Sequence, residues 1–354
     1  MHPSFPPNTF PNHWTLVTGL YPESHGIVAN EFFDPHLDEL FSYTAPPSIR
    51  DHPHWWGGQP WRVMWPGSDV AMSSVQSNHI VPFNHSLTPL DIMDATLRWL
   101  DLPTHERPHL ITSYIPHVDS TGHSEGPEGD KIDSMLKQTD TAIGYLMEQL
   151  VVRHLEDHVH IVIVSDHGMT STKPSNLIFY DDILSKESLS LLRRTEAAPL
   201  LDLRPKADAP PHTVQKVYQE LVQYTQSHPE PHFQVYLREN VPERFHYSAS
   251  DRITPIVVIP DVGYTFTTHA TTPHASNFTL KGNHGFDHMA PDMRAIFIAS
   301  GPKLTQWYDP GTVVVPFYNV EVFEFLSKLL NINAIPTNGT LHGMFIPAPS
   351  SPLS

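Results

Sequence analysis

Short runs of β-branched and apolar residues alternate along the chain with stretches that have the periodicity of amphipathic helices. The predicted strands cover residues 109–115, 159–165, 255–259 and 294–299. The predicted helices cover residues 88–100, 130–154, 214–224 and 320–330. Alternation of this kind is typical of βαβ units, in which helices cover both faces of a parallel sheet. It therefore predicts an α/β fold with a mainly parallel central sheet flanked by helices.

The chain shows no internal repeat and no linker that would divide it. Its 36 prolines are scattered through predicted loops, and 354 residues with 39% apolar side chains suffice for one large core. We predict a single domain over residues 1–346, followed by a frayed Pro/Ser-rich tail at 347–354.

Charge and cysteine content exclude several classes of function. A formal net charge of -17 gives no electrostatic footprint for a nucleic-acid backbone or an anionic membrane surface. An anionic substrate would need local positive charge, for which bound metal is the obvious source. The absence of cysteine excludes disulfides, thiolate zinc sites and a cysteine nucleophile.

Features that bear on the cellular compartment are few. No apolar run is long enough to span a bilayer, and the first four residues do not open a signal peptide. Sequons for N-glycosylation occur at Asn84, Asn277 and Asn338. They favour a glycoprotein of the secretory pathway.

Acidic and imidazole side chains follow predicted strands. The strand at 159–165 runs into Asp166 and His167, and ligands of open α/β sheets bind at the carboxyl ends of strands. Asp119 and His123 are one helical turn apart, and His284 lies in a Gly-flanked loop before the last predicted strand. Asp119, His123 and His284 together would form a three-ligand zinc site with an open fourth position. Asp166 and His167 would then supply only two protein ligands to a second ion.

A nucleophile candidate lies near the start of the chain. Proline at 11 and glycine at 19 bracket a short predicted helix, with Thr9 at or before its N-terminus. The helix dipole and free amides would stabilise both a threonine alkoxide and an attacked phosphate. The alternative is that Thr9 is an ordinary N-cap.

Histidine is so frequent, at 25 residues, that isolated imidazoles carry little information. Five of them lack patterned neighbours and are interpreted as structural: His13, His25, His117, His269 and His274.

The segment Thr9–Gly26 resembles the nucleophile segment of the ectonucleotide pyrophosphatase/phosphodiesterase family, within the alkaline-phosphatase-like superfamily. The resemblance extends over nearly the whole chain. It continues through residues 55–58, 65–68, 119–127, 165–169, 284–287 and 338–340.

This resemblance implies an alkaline-phosphatase-like fold and a nucleotide pyrophosphatase/phosphodiesterase. Thr9 would attack phosphorus to form a covalent nucleotidyl-threonine, and Asn30 would hydrogen-bond a phosphate oxygen. One zinc ion would be bound by Asp119, His123 and His284, and the other by Asp166, His167 and Thr9. The implied substrate contacts are Phe10, Asn30 and Ile80, and the implied partner is a nucleotide or another small phosphodiester.

The chain departs from the family pattern at three places. In the family, a strand ending in an aspartate precedes the threonine and supplies the missing ligand of the second ion, whereas only eight residues precede Thr9. The family also carries a longer stretch where this chain has residues 62–64, and Ile80 replaces an aromatic that stacks on the base. We expect the first two departures to reflect an incomplete sequence whose first strand, and any membrane anchor, are missing.

Three functional hypotheses remain from the sequence. The first is zinc-dependent hydrolysis of phosphodiester or pyrophosphate bonds in nucleotides. Ile80 mildly favours the second, a phospholipid-type phosphodiesterase. The third is a catalytically impaired fragment or pseudoenzyme, which the missing aspartate supports and the survival of Thr9 and Asn30 opposes.

Overall fold

The computed structural model describes residues 1–50, 52–56, 65, 79–193 and 199–349. Its helices are α1 Thr9–Thr18, α2 Pro22–His25, α3 Pro47–Arg50, α4 Pro89–Leu100, α5 His117–Glu125, α6 Asp130–Val152, α7 Tyr180–Ile183, α8 Lys186–Leu191, α9 Thr213–Ser227, α10 Leu304–Trp307 and α11 Glu321–Leu330. Its strands are β1 Glu31–Asp34, β2 Glu39–Ser42, β3 Ile161–Val164, β4 Thr170–Ser171, β5 Leu177–Phe179, β6 Leu201–Leu203, β7 Phe233–Leu237, β8 Ile256–Pro260, β9 Thr265–Thr267, β10 Gly282–Asn283 and β11 Phe297–Ser300.

The strands form small ladders that are separated by helices. β3 pairs antiparallel with β11, β4 with β10, β1 with β2, and β8 with both β6 and β7. β5 and β9 form the parallel pair within the described ranges. The prediction of a mainly parallel sheet is therefore wrong for these ladders, although the α/β composition is confirmed. Apolar runs specify which segments are buried, and they carry no information on pairing direction.

The helices of the structure lie close to the positions predicted from the sequence. At α4, the Thr88 side chain accepts a hydrogen bond from the Asp91 N–H and Asp91 bonds back to the Thr88 N–H, which completes a capping box. The predicted helices near 130–154, 214–224 and 320–330 correspond to α6, α9 and α11. α1 begins at Thr9 and ends before Gly19, whose φ of 68° places it in the left-handed region that favours glycine.

Three of the four predicted strands are present as β3, β8 and β11. The prediction of a strand at 109–115 is wrong, because these residues join no ladder in the part of the chain that the structure describes. Ile111 packs against the cluster of Leu97, Leu100 and Leu150 instead. Contact with helices thus partly covers Ile111 and Ile115 without strand pairing, while Leu110 is 37% exposed.

Two apolar cores hold the elements that carry the polar residues singled out above. In one, Phe10 and Trp14 of α1 pack with Phe32, Trp55 and Trp56. In the other, the inner faces of β3 and β11 pack with α11. Both cores reach α1, since Leu16 belongs to the second one.

Several expectations concern the limits of the chain. Ala348 still donates its N–H to the Val313 carbonyl at 2.7 Å, while residues 350–354 lie outside the described part. Residues 57–58, 62–64 and 66–68, which carry part of the resemblance and one departure, also lie outside it. The proposed domain limits therefore stay a prediction. None of the described helices has the length and hydropathy needed to cross a membrane.

Candidate metal and phosphate site

Thr9 is the first residue of α1, and Asn8 occupies the N-cap position without a side-chain capping bond. Thr9 is therefore not an N-cap, and its side chain lies in the first turn, where the helix dipole favours an anion. The next residue, Phe10, donates its N–H to Asn30 Oδ1 at 2.9 Å. With Oδ1 engaged in this way, the Nδ2 group of Asn30 remains available as a donor.

One helix and two loops carry the predicted aspartate and histidine ligands. Asp119 and His123 lie four residues apart on α5 and therefore on one face of it. Asp166 and His167 directly follow β3, and His284 directly follows β10. β10 packs on α5, where Gly282 is in close contact with the Gly122 carbonyl. This contact brings His284 to the ligand face of α5.

The side chains of Asp119, His123 and His284 converge. Nε2 of His123 lies 3.5 Å from Asp119 Oδ1 and 3.2 Å from Nε2 of His284. Nε2 of His284 lies 3.6 Å from Asp119 Oδ1. In a tetrahedral zinc site with bonds of 2.0–2.1 Å, ligand atoms are about 3.3–3.4 Å apart. The three distances therefore match one face of a zinc tetrahedron.

Hydrogen bonds fix the tautomers of the predicted histidine ligands. His123, His167 and His284 each direct Nδ1 to a backbone carbonyl at 2.8 Å, belonging to Gly282, Gly168 and Pro7 respectively. Nδ1 must carry a proton in each case, so in the neutral ring it is Nε2 that offers a lone pair. This is the usual outer arrangement of metal-bound histidine. His167, whose pKa the Asp166 carboxylate raises, must lose its Nε2 proton to bind an ion.

One buried ligand atom, Asp119 Oδ1, also lacks a hydrogen bond to any other described residue. Single ligand atoms of Asp119, His167 and His284 lie within 4.8 Å of one another, and the rings of His167 and His284 stack at 3.5 Å. The described residues thus contain an Asp/His group that fits a metal ion.

A second group adjoins the first. Asp166 Oδ2 lies 3.1 Å from His167 Nε2 and 3.2 Å from His13 Nδ1. His13 is 3% exposed, and its Nδ1 also contacts the Thr9 carbonyl at 2.8 Å. The interpretation of His13 as an isolated structural residue is wrong, because it contacts a predicted ligand.

Burial and charge act in opposite directions in this cluster. Burial raises the pKa of Asp119, whereas the imidazoles of His167 and His13 overcome burial and hold the pKa of Asp166 well below its usual range. The Asp166 carboxylate likewise overcomes burial and raises the pKa of His167 to about 9. Burial, together with His167 and His123, holds the pKa of His284 well below the usual range of histidine. His284 is therefore neutral, as a metal ligand must be.

Aromatic rings surround the polar cluster. Tyr43 is 42% exposed and lies 5.8 Å from the Phe10 ring, centroid to centroid. Phe83 is 53% exposed and lies 6.1 Å from Tyr114, which in turn lies 4.8 Å from His13. Ile80 is 40% exposed, and its role stays a prediction. Tyr43, Phe83 and Tyr114 could not be predicted from the sequence, since aromatic residues without a spacing pattern are common in cores.

The contacts of His25 and His269 are consistent with a structural role for these two histidines. His25 is buried and contacts the Thr15 hydroxyl through Nε2 at 3.1 Å. His269 is exposed and pairs with Asp182 at 3.0 Å.

Comparison with known proteins agrees with this arrangement. The family model described as type I phosphodiesterase/nucleotide pyrophosphatase matches residues 1–287. An uncharacterised pyrophosphatase/phosphodiesterase of Schizosaccharomyces pombe is 38% identical over 96% of this chain and 72% of its own length. Ectonucleotide pyrophosphatase/phosphodiesterase family member 3 of Bos taurus is 36% identical over 97% of this chain. The chain spans 39% of the length of that bovine protein.

Solved structures lead to the same family. Murine ectonucleotide pyrophosphatase/phosphodiesterase 5 superimposes with a TM-score of 0.83 at 30% identity, covering 98% of this chain and 90% of that one. An inactive variant of the murine protein in complex with AMP gives a TM-score of 0.82 at 29% identity, with the same coverage. These likenesses confirm the alkaline-phosphatase-like α/β fold and the predicted family. Because its match to the family model covers most of its length, the chain belongs to the type I phosphodiesterase/nucleotide pyrophosphatase family of hydrolases.

Proposed function

We propose that this chain hydrolyses phosphodiester or pyrophosphate bonds in nucleotides, with Thr9 as the nucleophile and zinc as the cofactor. The observation that carries the proposal is the convergence of Asp119 Oδ1, His123 Nε2 and His284 Nε2 to within 3.6 Å of one another. The His284 ring also donates Nδ1–H to the carbonyl of Pro7, two residues before Thr9. This bond couples the ligand group to the start of α1.

Asp119, His123 and His284 would hold one ion, and Asp166, His167 and the Thr9 hydroxyl the other. When bound, zinc supplies positive charge to a phosphoryl group and lowers the pKa of a coordinated hydroxyl or water. Because Asp166 and His167 are the only two side chains assigned to the second site besides Thr9, we propose that it binds its ion more weakly.

The proposed reaction is a displacement at phosphorus in two steps, in which Thr9 and then water is the nucleophile. Thr9 Oγ attacks phosphorus and loses its proton to solvent, while the leaving oxygen departs with the electron pair of its bond and takes up a proton, which yields a nucleotidyl-threonine. Water then attacks phosphorus, the bond between Oγ and phosphorus breaks, a proton from the water restores the Thr9 hydroxyl, and the nucleoside monophosphate is released. Asn30 Nδ2 would donate to a non-bridging phosphate oxygen, because its Oδ1 is held by Phe10 N–H.

The aromatic rim favours a nucleotide over a lipid diester. Tyr43 and Phe83 offer exposed ring faces on which a base could stack, and both lie near residues of the cluster. AMP in the complex of the murine relative is consistent with this substrate class. The exposed sequons at Asn84, Asn277 and Asn338 support passage through the secretory pathway as a glycoprotein.

Hydrolysis of an aryl ester of thymidine monophosphate under zinc saturation tests the proposal. We expect Thr9→Ala to abolish turnover and Thr9→Ser to retain part of it. Acid quench followed by peptide mass spectrometry should find the nucleotidyl group on the peptide that contains Thr9. Thr18→Ala is a matched control on the same helix, since its hydroxyl bonds the Trp14 carbonyl.

The alternatives give different results in the same assay. Faster turnover of a lysophospholipid diester than of the nucleotide ester would favour the lipid substrate. No turnover of either substrate by the zinc-saturated wild type would favour a pseudoenzyme. A Thr9→Ala variant as active as wild type would show that the nucleophile is another group.

A further inference from the structure

His13 lies on α1, and its side chain faces the group formed by Asp166 and His167. Its Nδ1 lies 2.8 Å from the Thr9 carbonyl and 3.2 Å from Asp166 Oδ2. The ring is 3% exposed. It is enclosed by Tyr114 at 4.8 Å and Trp65 at 4.6 Å, both nearly edge-on. Trp65 also donates its indole N–H to the His13 carbonyl at 2.7 Å, so ring and backbone are both held.

The two contacts of Nδ1 determine what His13 can do. A carbonyl and a carboxylate oxygen are both acceptors, so Nδ1 must carry a proton and donate to them. Nδ1 therefore has no lone pair to offer an ion. His123, His167 and His284 differ, because their Nδ1–H groups point at carbonyls and their Nε2 atoms face the cluster. The ring nitrogen of His13 that faces the cluster is the protonated one.

We propose that His13 is a positioning residue for the second metal site, where its Nδ1–H orients the Asp166 carboxylate and ties it to the backbone of Thr9. The proposal rests on the proposed function in so far as Asp166 is a ligand. A carboxylate that binds a metal through one oxygen needs its rotamer fixed, and hydrogen bonds to surrounding groups do this. One proton donor thus couples the end of β3 to the first turn of α1.

The hydrogen bond from His13 should matter more for the second metal site than any such bond for the first, because the second site has fewer protein side chains as ligands. Asp119, His123 and His284 constrain one another through a shared set of three donor atoms. Asp166 and His167 are adjacent in sequence and share a single loop after β3. The hydrogen bond from His13 is the contact that links this loop to the residue whose hydroxyl reacts.

The test compares His13→Asn, His13→Gln and His13→Ala in the full chain. The side-chain amide nitrogen of asparagine can take the place of ring Nδ1, whereas that of glutamine reaches about as far as Nε2. Zinc affinity of each site is measured by chelator competition, independently of catalysis, and kcat and KM are measured in parallel. His25→Asn and His25→Gln are the controls, because His25 is equally buried near the same helix but contacts Thr15 and no ligand.

We expect His13→Gln and His13→Ala to weaken the weaker zinc site about 10- to 100-fold while the tighter site is unchanged. His13→Asn should retain most of the affinity. In the same variants kcat should fall with little change in KM, because substrate contacts remain. The His25 variants should change thermal stability without changing the affinity of either site.

Three results would overturn the proposal. The first is a His13→Gln variant with wild-type affinity at both sites. The second is a His13→Asn variant no better than His13→Ala, which would mean that the ring acts by packing. The third is a wild type that binds a single zinc ion. If the wild type binds two ions and hydrolyses no diester, the proposed function fails while the affinity measurement still decides the role of His13.

Discussion

Nε2 of His123 lies 3.2 Å from Nε2 of His284, although each ring gives its Nδ1 proton to a backbone carbonyl. In their neutral forms, two imidazoles arranged in this way would direct lone pairs at each other. The nearby Asp119 Oδ1 adds negative charge at 3.5 Å and 3.6 Å from these atoms. A cation held between these atoms, either a metal ion or a proton on one Nε2, would make the arrangement favourable, so the arrangement fits the proposed metal site.

We predict that the site of Asp119, His123 and His284 binds zinc more tightly than the site that contains Asp166 and His167. The reason is that the former has three protein side chains whose spacing fits a tetrahedron. His123→Ala should remove the tighter ion. His117→Ala, on the same helix, is the matched control and should leave it in place. Metal analysis during chelator titration provides the measurement, and two ions of equal affinity would contradict the prediction.

A second prediction concerns the close contact between β10 and α5. A methyl group on Gly282 would overlap the Gly122 carbonyl, so the two elements would have to separate. Gly282→Ala should therefore cost about 1–3 kcal/mol of unfolding free energy and also weaken the tighter zinc site, because His123 and His284 lie on the two elements. Urea unfolding with and without zinc measures both effects.

Gly144 offers a matched control for this substitution. It lies within α6, and an added methyl group meets no atom within 4 Å. Gly144→Ala should stabilise the chain by about 0.5–1 kcal/mol through helix propensity, with no change in zinc affinity. If both alanine variants behave alike, the contact of Gly282 does not position the ligands.

The sequence was a better guide to the candidate ligands than to the residues and strands that contact them. Asp119 and His123 have helical spacing, and Asp166 follows a strongly apolar strand, so local pattern was sufficient to single them out as candidates that the structure places close together. His13 was misinterpreted because its partner Asp166 is 153 residues away, and no local pattern reports such a contact. The same limit applies to the strand predicted at 109–115. Its apolar residues satisfied the pattern, whereas pairing requires a neighbour that the pattern does not contain.

The stability of the chain should fall in acid because of His288. Its ring is 2% exposed, packs against Phe5 and Phe245, and burial lowers its pKa to about 4. In the unfolded chain a histidine takes up a proton near pH 6.5. Between about pH 6.5 and 4 the unfolded state therefore binds a proton that the folded state does not, and stability falls as pH falls through this window, by on the order of 3 kcal/mol in all.

His288→Phe should remove this contribution, because phenylalanine fills a similar volume and does not titrate. Urea unfolding at pH 7 and at pH 4.5 measures the change for each protein. The variant should lose less stability than wild type between the two pH values. His36→Phe serves as the control at an exposed histidine, whose side chain is 77% exposed. Equal pH dependence of wild type and His288→Phe would show that folding does not lower the pKa of His288.

The last prediction separates the two roles proposed for Asn30. Its Oδ1 accepts the Phe10 N–H at 2.9 Å, which orients the first turn of α1, while Nδ2 is free to donate to phosphate. Asn30→Ala should lower kcat for the aryl nucleotide ester by a factor of about 10² to 10³, which is typical of a lost donor to a charged oxygen in the transition state. Asn30→Asp keeps the acceptor for Phe10 but replaces the donor with a negative charge. If the donor matters, this variant should be at least as slow as the alanine variant, while its unfolding free energy stays closer to wild type. An Asn30→Asp enzyme that is markedly faster than Asn30→Ala would instead assign the contribution of Asn30 to the orientation of α1.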